Sequence, residues 1–187
     1  MKTLTLHEVT SNDELVRTTN ANGINLESSA LFVFIDFEKS TPRIIDWDAS
    51  AAEADLVMKK THSELLSVVD DNEHFLGVVT RENLNDQEII KRLQHGIQRS
   101  DLSVADFMLN REKLKSIALK DLAKNTIATV VDTLKLSGER FCLVIDGDAH
   151  SIRGLVSADD IARKLNLPIN ISHDSSFVGV FKAINAA

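Results

Sequence analysis

Two stretches of this chain repeat one pattern of apolar and polar positions. The first begins with the apolar pair Ile44-Ile45 and continues through DASAAEADLVMKK, LLSVVD, a polar turn, FLGVV and TREN, closing at Asn83. The second begins with SIAL around Ile117 and continues through NTIATVVDTLKLSG, FCLVID, a polar turn, IRGLV and SADD, closing at Asp160. The pieces come in the same order, and Gly77 and Gly154 stand 77 residues apart, so two units of one design fill most of the chain.

Each piece has a physical reading. Ser50 followed by Glu53 predicts a capping box, after which Ala51, Ala54, Val57 and Met58 recur at helical spacing. In the second unit Asn125 or Thr126 serves as the cap, Ile127, Val130, Val131 and Leu134 form the apolar face, and Gly138 fits a helix C-terminus. LLSVVD and FCLVID are short and rich in branched residues, as strands are, and the polar runs from Asp70 and Asp146 suit hairpin turns. The return strands, Phe75 to Val79 and Ile152 to Val156, each end at a hydroxyl residue, Thr80 or Ser157, with helix-compatible sequence directly after it. The unit therefore reads strand, helix, strand, strand, helix, and the fold class is α/β.

The division this implies is an extension over 1–29, a first unit over 30–100, a second over 101–168 and a C-terminal segment over 169–187. Pro168 is expected to end the helix of Ile161, Ala162 and Leu165. Ser175 or Ser176 then caps a last helix with Phe177, Val180, Phe181 and Ile184 on one face, which reads as core-packing, with a partner-binding helix as the alternative. The first 29 residues carry the weakest pattern.

Composition narrows the function. Of 187 residues 43% are hydrophobic and 26% charged, which suits a globular chain. The net charge is −7 and basic residues are scattered, no run exceeding a pair such as Lys59-Lys60, so no nucleic-acid partner is expected. The absence of tyrosine also argues against a base-stacking surface. The N-terminus, MKTLTLHEVTSNDELV, has no apolar core of a signal peptide, and the longest apolar stretch, Ala30 to Phe37, is far too short to span a membrane. The expectation is a cytoplasmic protein without membrane contact.

No catalytic constellation emerges. The chain has neither a Gly-Lys-Ser phosphate loop nor a Gly-x-Ser-x-Gly elbow, and its six histidines lie far apart without paired ligand spacing. Cys142 sits in an apolar strand and reads as a small buried hydrophobe. Asp146-Gly147-Asp148 is a turn, since the other positions of a calcium loop are missing. We therefore expect no enzyme, no metal and no required cofactor.

What the two units do share is a motif at the junction after the return strand. Gly77-Val78-Val79-Thr80-Arg81-Glu82-Asn83 and Gly154-Leu155-Val156-Ser157-Ala158-Asp159-Asp160 both run glycine, two apolar residues, a hydroxyl, two free positions, then Asn or Asp. With SVADFML opening the second unit at Ser103, this arrangement resembles the CBS domain, and the second half resembles stand-alone tandem-CBS proteins of bacteria. The resemblance covers about Ala30 to Leu167. It implies two units packed as a pseudo-two-fold pair with two clefts, assembly into a homodimer, and clefts that bind AMP, ADP, ATP or S-adenosylmethionine. The apolar helix faces around Val57-Met58 and Val130-Leu134, more than a small sheet is expected to cover, point to the same homodimer.

The chemistry of the motif agrees with that implication. Gly77 and Gly154 would let backbone approach a ligand, Thr80 and Ser157 would cap amides or meet a phosphate, and Asn83 and Asp160 would accept from a ribose diol. Asp160 is the stronger acceptor, so the second site ranks above the first. Glu82 and Asp159 would repel a polyphosphate, which Arg153, Arg163 and Lys164 would offset at the second site. The plainer reading makes the hydroxyls N-caps and the acidic or amide positions helix-start residues. Two functions stay open: a regulatory module sensing an adenine nucleotide or related adenosyl ligand, and an interaction module with empty clefts and an unidentified protein target.

Overall fold

The computed structural model describes residues 23–93 and 102–166, which form two four-stranded sheets with helices packed against them. In chain order the elements are β1 (Ile35–Asp36), β2 (Ile44–Asp46), α1 (Ala51–Thr61), β3 (Leu65–Val69), β4 (Phe75–Thr80), α2 (Asp86–Leu93), β5 (Leu109–Asn110), β6 (Ser116–Ala118), α3 (Leu119–Leu122), α4 (Ile127–Ser137), β7 (Phe141–Asp146), β8 (Ser151–Ser157) and α5 (Ala158–Lys164). One sheet has the order β2-β3-β4-β5 and the other β1-β8-β7-β6. The repeat is real. In each half the first long strand runs parallel to the one before its helix and antiparallel to its return strand.

The repeat extends to irregularities. Val68 stands opposite Gly77 and Val144 opposite Gly154, and each hairpin slips register immediately after that pair. Glu73 and His150 hold the left-handed conformation at the same place in the two turns, with φ of 61° and 49°. Asp70 Oδ1 and Asp146 Oδ1 each accept backbone amides within their turn, which stabilises the tight reversal. Helix signals also match. Ser50 and Glu53 form the expected capping box on α1, Thr126 caps α4, and Gly138 ends α4 at φ 72°.

The units exchange their lead-in segments. Strand β1 of the first half pairs with β8 of the second, and β5 of the second pairs with β4 of the first. The cores follow the same exchange. Ala30 and Val33 pack among Leu122, Ile127, Val131, Leu134 and Ile161, while Leu102, Val104 and Phe107 pack among Met58, Leu66, Val68 and Val79. Each fully buried aliphatic side chain of this kind contributes about 1.5–3 kcal/mol by leaving water. Neither half completes its core alone, and the molecule is a pseudo-two-fold pair.

The crossings explain the glycines. A Cβ on Gly154 would stand 2.0 Å from the carbonyl oxygen of Ile35, and one on Gly77 would stand 2.2 Å from that of Leu109. Close backbone approach is thus required, as read from sequence, but by the exchanged strand rather than by a ligand. At the β1–β8 crossing Arg153 also donates to both carboxylate oxygens of Asp36, at 2.9 and 3.2 Å, and pairs with Glu38 at 2.7 Å.

Three expectations are corrected. No helix begins directly after Thr80: residues 81–85 form turns, and α2 starts at Asp86, where Asn85 accepts the Glu88 amide at 2.9 Å as its cap. The helix faces around Val57-Met58 and Val130-Leu134 do not outrun their sheets, because Met58, Val130, Val131 and Leu134 are buried in their own cores. The two-residue strands β1 and β5 were invisible as strands, being too short to show alternation. The expected C-terminal helix with Phe177, Val180, Phe181 and Ile184, and Pro168, lie outside the described residues.

Candidate functional site

The exchange leaves a cleft of about 460 Å³ between the two halves, and both motifs open onto it. Thr80, Glu82 and Asn83 line it from the first half, and Ser157, Asp159 and Asp160 from the second. Ile35, Leu65, Leu109, Phe141 and Leu155 supply apolar wall, and the loop from Phe37 to Arg43 closes one side. So Thr80, Asn83, Ser157 and Asp160 are brought together, whereas Gly77 and Gly154 lie under the exchanged strands and do not line the cleft. Two separate clefts were implied by the resemblance; here the two motifs share one continuous space.

Both hydroxyls turn back on their own motif, Ser157 as the N-cap of α5 and Thr80 within a turn. Ser157 Oγ accepts the Asp160 amide at 3.1 Å and donates to Asp160 Oδ2 at 2.6 Å. Thr80 Oγ1 accepts the Asn83 amide at 3.2 Å and donates to Asn83 Oδ1 at 2.6 Å. The hydroxyl proton is therefore directed at the motif's own last residue, not outward at a phosphate. Each hydroxyl thereby orients the acceptor at the last position of its own motif. Each carboxylate oxygen has about two acceptor directions, so Asp160 keeps acceptor capacity after bonding Ser157 and pairing Arg163 at 3.1 Å. Asn83 has a single carbonyl oxygen and has already accepted from Thr80.

Behind the motifs lies a charged layer that sequence reasoning missed. Arg140 holds Asp159 through its Nη2 at 2.9 and 3.0 Å, with Asp159 buried, and its Nη1 reaches Glu82 of the other half at 3.5 Å. The first half has an ion pair of its own at the matching place, from a different position of the motif: Glu64 sits where Arg140 does, and Arg81, one residue before the counterpart of Asp159, meets it at 3.2 Å. Matching backbone bonds fix the correspondence, from the Arg81 amide to the Glu64 carbonyl and from the Ala158 amide to the Arg140 carbonyl. The signal was present in the sequence. A charged residue directly precedes each apolar run, Glu64 before LLSVV and Arg140 before FCLVI.

Of the cations expected to offset the acidic positions, only Arg163 lines this cleft. Arg153 is held at the strand crossing by Asp36 and Glu38, and Lys164 donates to the Phe32 carbonyl at 2.7 Å. They border a second, more open hollow beside Leu31, Phe32 and Phe34. Cys142 is buried, and burial pushes its thiol up to about 12, far from a reactive thiolate. Among the described residues no three His, Cys, Asp or Glu side chains cluster to hold a metal. No helix among them is long and apolar enough to cross a membrane.

An exchanged pair of βαββα units, each presenting a hydroxyl-and-acceptor motif to one shared cleft, defines a paired α/β module. Residues 47–98 match the family model of the CBS domain, and the repeat sets a second unit of the same layout behind that segment. A conserved protein of Pyrococcus horikoshii shares the fold at TM-score 0.55 and 15% identity, over 80% of this chain and 100% of its own. CBSX2 in complex with AMP superposes at TM-score 0.53 and 17% identity, over 74% of this chain and 96% of its own. A conserved CBS-domain protein of Thermoplasma acidophilum does so at 0.50 and 20%, over 82% and 75%. No curated protein gives a significant sequence match.

Proposed function

We propose that this protein is a regulatory, non-catalytic module that senses an adenine nucleotide or related adenosyl ligand in the cleft between its halves. The observation that carries the reading is the meeting of both motifs in one space, with Asp160 oriented by Ser157 and partly buried beside apolar wall. The likeness to CBSX2, which was solved with AMP, supports an adenosine moiety. In this reading the Asp160 carboxylate accepts from the ribose hydroxyls, Ser157 fixes its direction, and Leu65, Phe141 and Leu155 flank the base. AMP, ADP, ATP and S-adenosylmethionine are the ligands to test. The units spanning 30–100 and 101–168 then act as one sensor, working as a cytoplasmic homodimer.

The rival reading is an interaction module with an empty cleft. One observation favours it: both motif hydroxyls already donate to the last residue of their own motif. Calorimetry decides between them. A charge-assisted hydrogen bond contributes about 1.5–3 kcal/mol, so Asp160→Ala is expected to weaken binding of AMP about ten- to a hundredfold. Asn83→Ala is expected to weaken it less. The 2′-deoxy analogue should lose affinity in the wild type and little more in Asp160→Ala. Equal losses in both proteins would reduce Asp160 to a helix-start residue, and no binding by any adenosyl compound would favour the empty-cleft module.

A further inference from the structure

The walls of the cleft carry a charge imbalance that bears on which adenosyl compound it accepts. Glu82, Glu139, Asp159 and Asp160 line it, against Arg43, Arg140 and Arg163, while the charge of Glu64 is met by Arg81. Two of these three guanidiniums are held by wall carboxylates: Arg140 by Asp159 and Glu82, and Arg163 by Asp160. Arg43 makes no ion pair among the described residues, and it stands on the loop at one side of the cleft. A polyphosphate that engaged Arg140 or Arg163 would have to displace a carboxylate from it, and only Arg43 could be engaged without that exchange. The exchange would also leave the displaced carboxylate facing further negative charge in a partly desolvated cleft, where Coulombic repulsion is stronger than in water.

We infer that the cleft rejects polyphosphates and selects an adenosyl ligand whose own charge is neutral or positive, a nucleoside or an adenosyl sulfonium. This rests on the adenosyl-ligand reading above and narrows it. Glu82 is the central element. It faces the cleft from the first half, is two-thirds exposed, and is only loosely drawn to Arg140. Glu139 adds a second carboxylate beside the start of β7.

The test is calorimetry of adenosine, S-adenosylmethionine and ATP at one ionic strength without divalent cations, on the wild type and on Glu82→Gln/Glu139→Gln. ATP is expected to bind at least about tenfold more weakly than adenosine. The double variant is expected to narrow that gap about fivefold or more, and added salt should narrow it in the wild type. If ATP binds as tightly as adenosine, the selection by charge is wrong while the adenosyl reading stands. If ATP is weak but the double variant leaves the gap unchanged, the carboxylates are not its cause and the inference falls. If none of the three compounds binds, both readings fall together.

Discussion

Gly154 and Gly77 show how a residue can be read correctly for its property and wrongly for its purpose. Both were legible as positions of close backbone approach. What approaches is the peptide of Ile35 or Leu109, at a distance that admits no side chain. A backbone carbonyl in a paired strand cannot swing aside as a flexible side chain can, so Gly154→Ala must part β1 from β8. Overpacking of this kind typically costs 1–3 kcal/mol, and here we expect about 3 kcal/mol or more. Gly147 meets nothing within 4 Å of an added Cβ, so Gly147→Ala is expected to stay within about 0.5 kcal/mol of the wild type. Urea denaturation of the two variants checks this. A Gly154→Ala protein as stable as Gly147→Ala would mean that the crossing is looser than the structure has it.

At the scale of elements, the two strand crossings are alike in backbone and unlike in side chains. Asp36 stands opposite Gly154 and is held by Arg153, whereas its counterpart opposite Gly77 is Asn110, preceded on the partner strand by Leu76. The hydrogen bond from Arg153 holds the Asp36 carboxyl below the ordinary carboxylate range, against the opposing cost of burial and with a lesser contribution from the Glu38 amide. A carboxyl whose value is lowered by folding stabilises the fold fully above its unfolded value. That contribution is lost as pH falls from about 4 through the lower folded value. Asp36→Asn lacks it at every pH. Its melting temperature is thus expected to lie below the wild type at neutral pH and to converge with it as pH falls through the lowered value of the Asp36 carboxyl. Parallel melting curves across that range would show that the ion pair does not pin β1.

For the whole molecule, the open question is assembly. The apolar helix faces that suggested a dimer from sequence are covered within each core, so the support for a homodimer now comes from the family and from the outer surfaces. Leu56 on α1 and Leu136 on α4 are 50% and 88% exposed, on helices that otherwise turn polar residues outward. Sedimentation velocity across the micromolar range is expected to show a dimer, and Leu136→Asp is expected to weaken it about tenfold, in line with truncating an apolar interface anchor. A wild-type monomer throughout that range would remove the homodimer from the proposal.

By itself the sequence determined the local grammar: the capped helices over Ala51 to Thr61 and Ile127 to Ser137, the apolar strands, the tight turns, and the motifs that end at Asn83 and Asp160. These follow from caps, periodicity and turn chemistry, which act within a few residues and leave a regular trace. Only the tertiary structure decided the exchange of β1 and β5, because two-residue strands have no periodicity and owe their pairing to distant partners, Gly154 being 118 residues from Asp36 and Val78 31 residues from Leu109. It also decided the pairing of Arg140 with Asp159 and Glu82, and of Arg153 with Asp36. A charged side chain has no preferred partner along the chain. The fold chose these by bringing opposite charges together where burial removed the water that would otherwise have screened them.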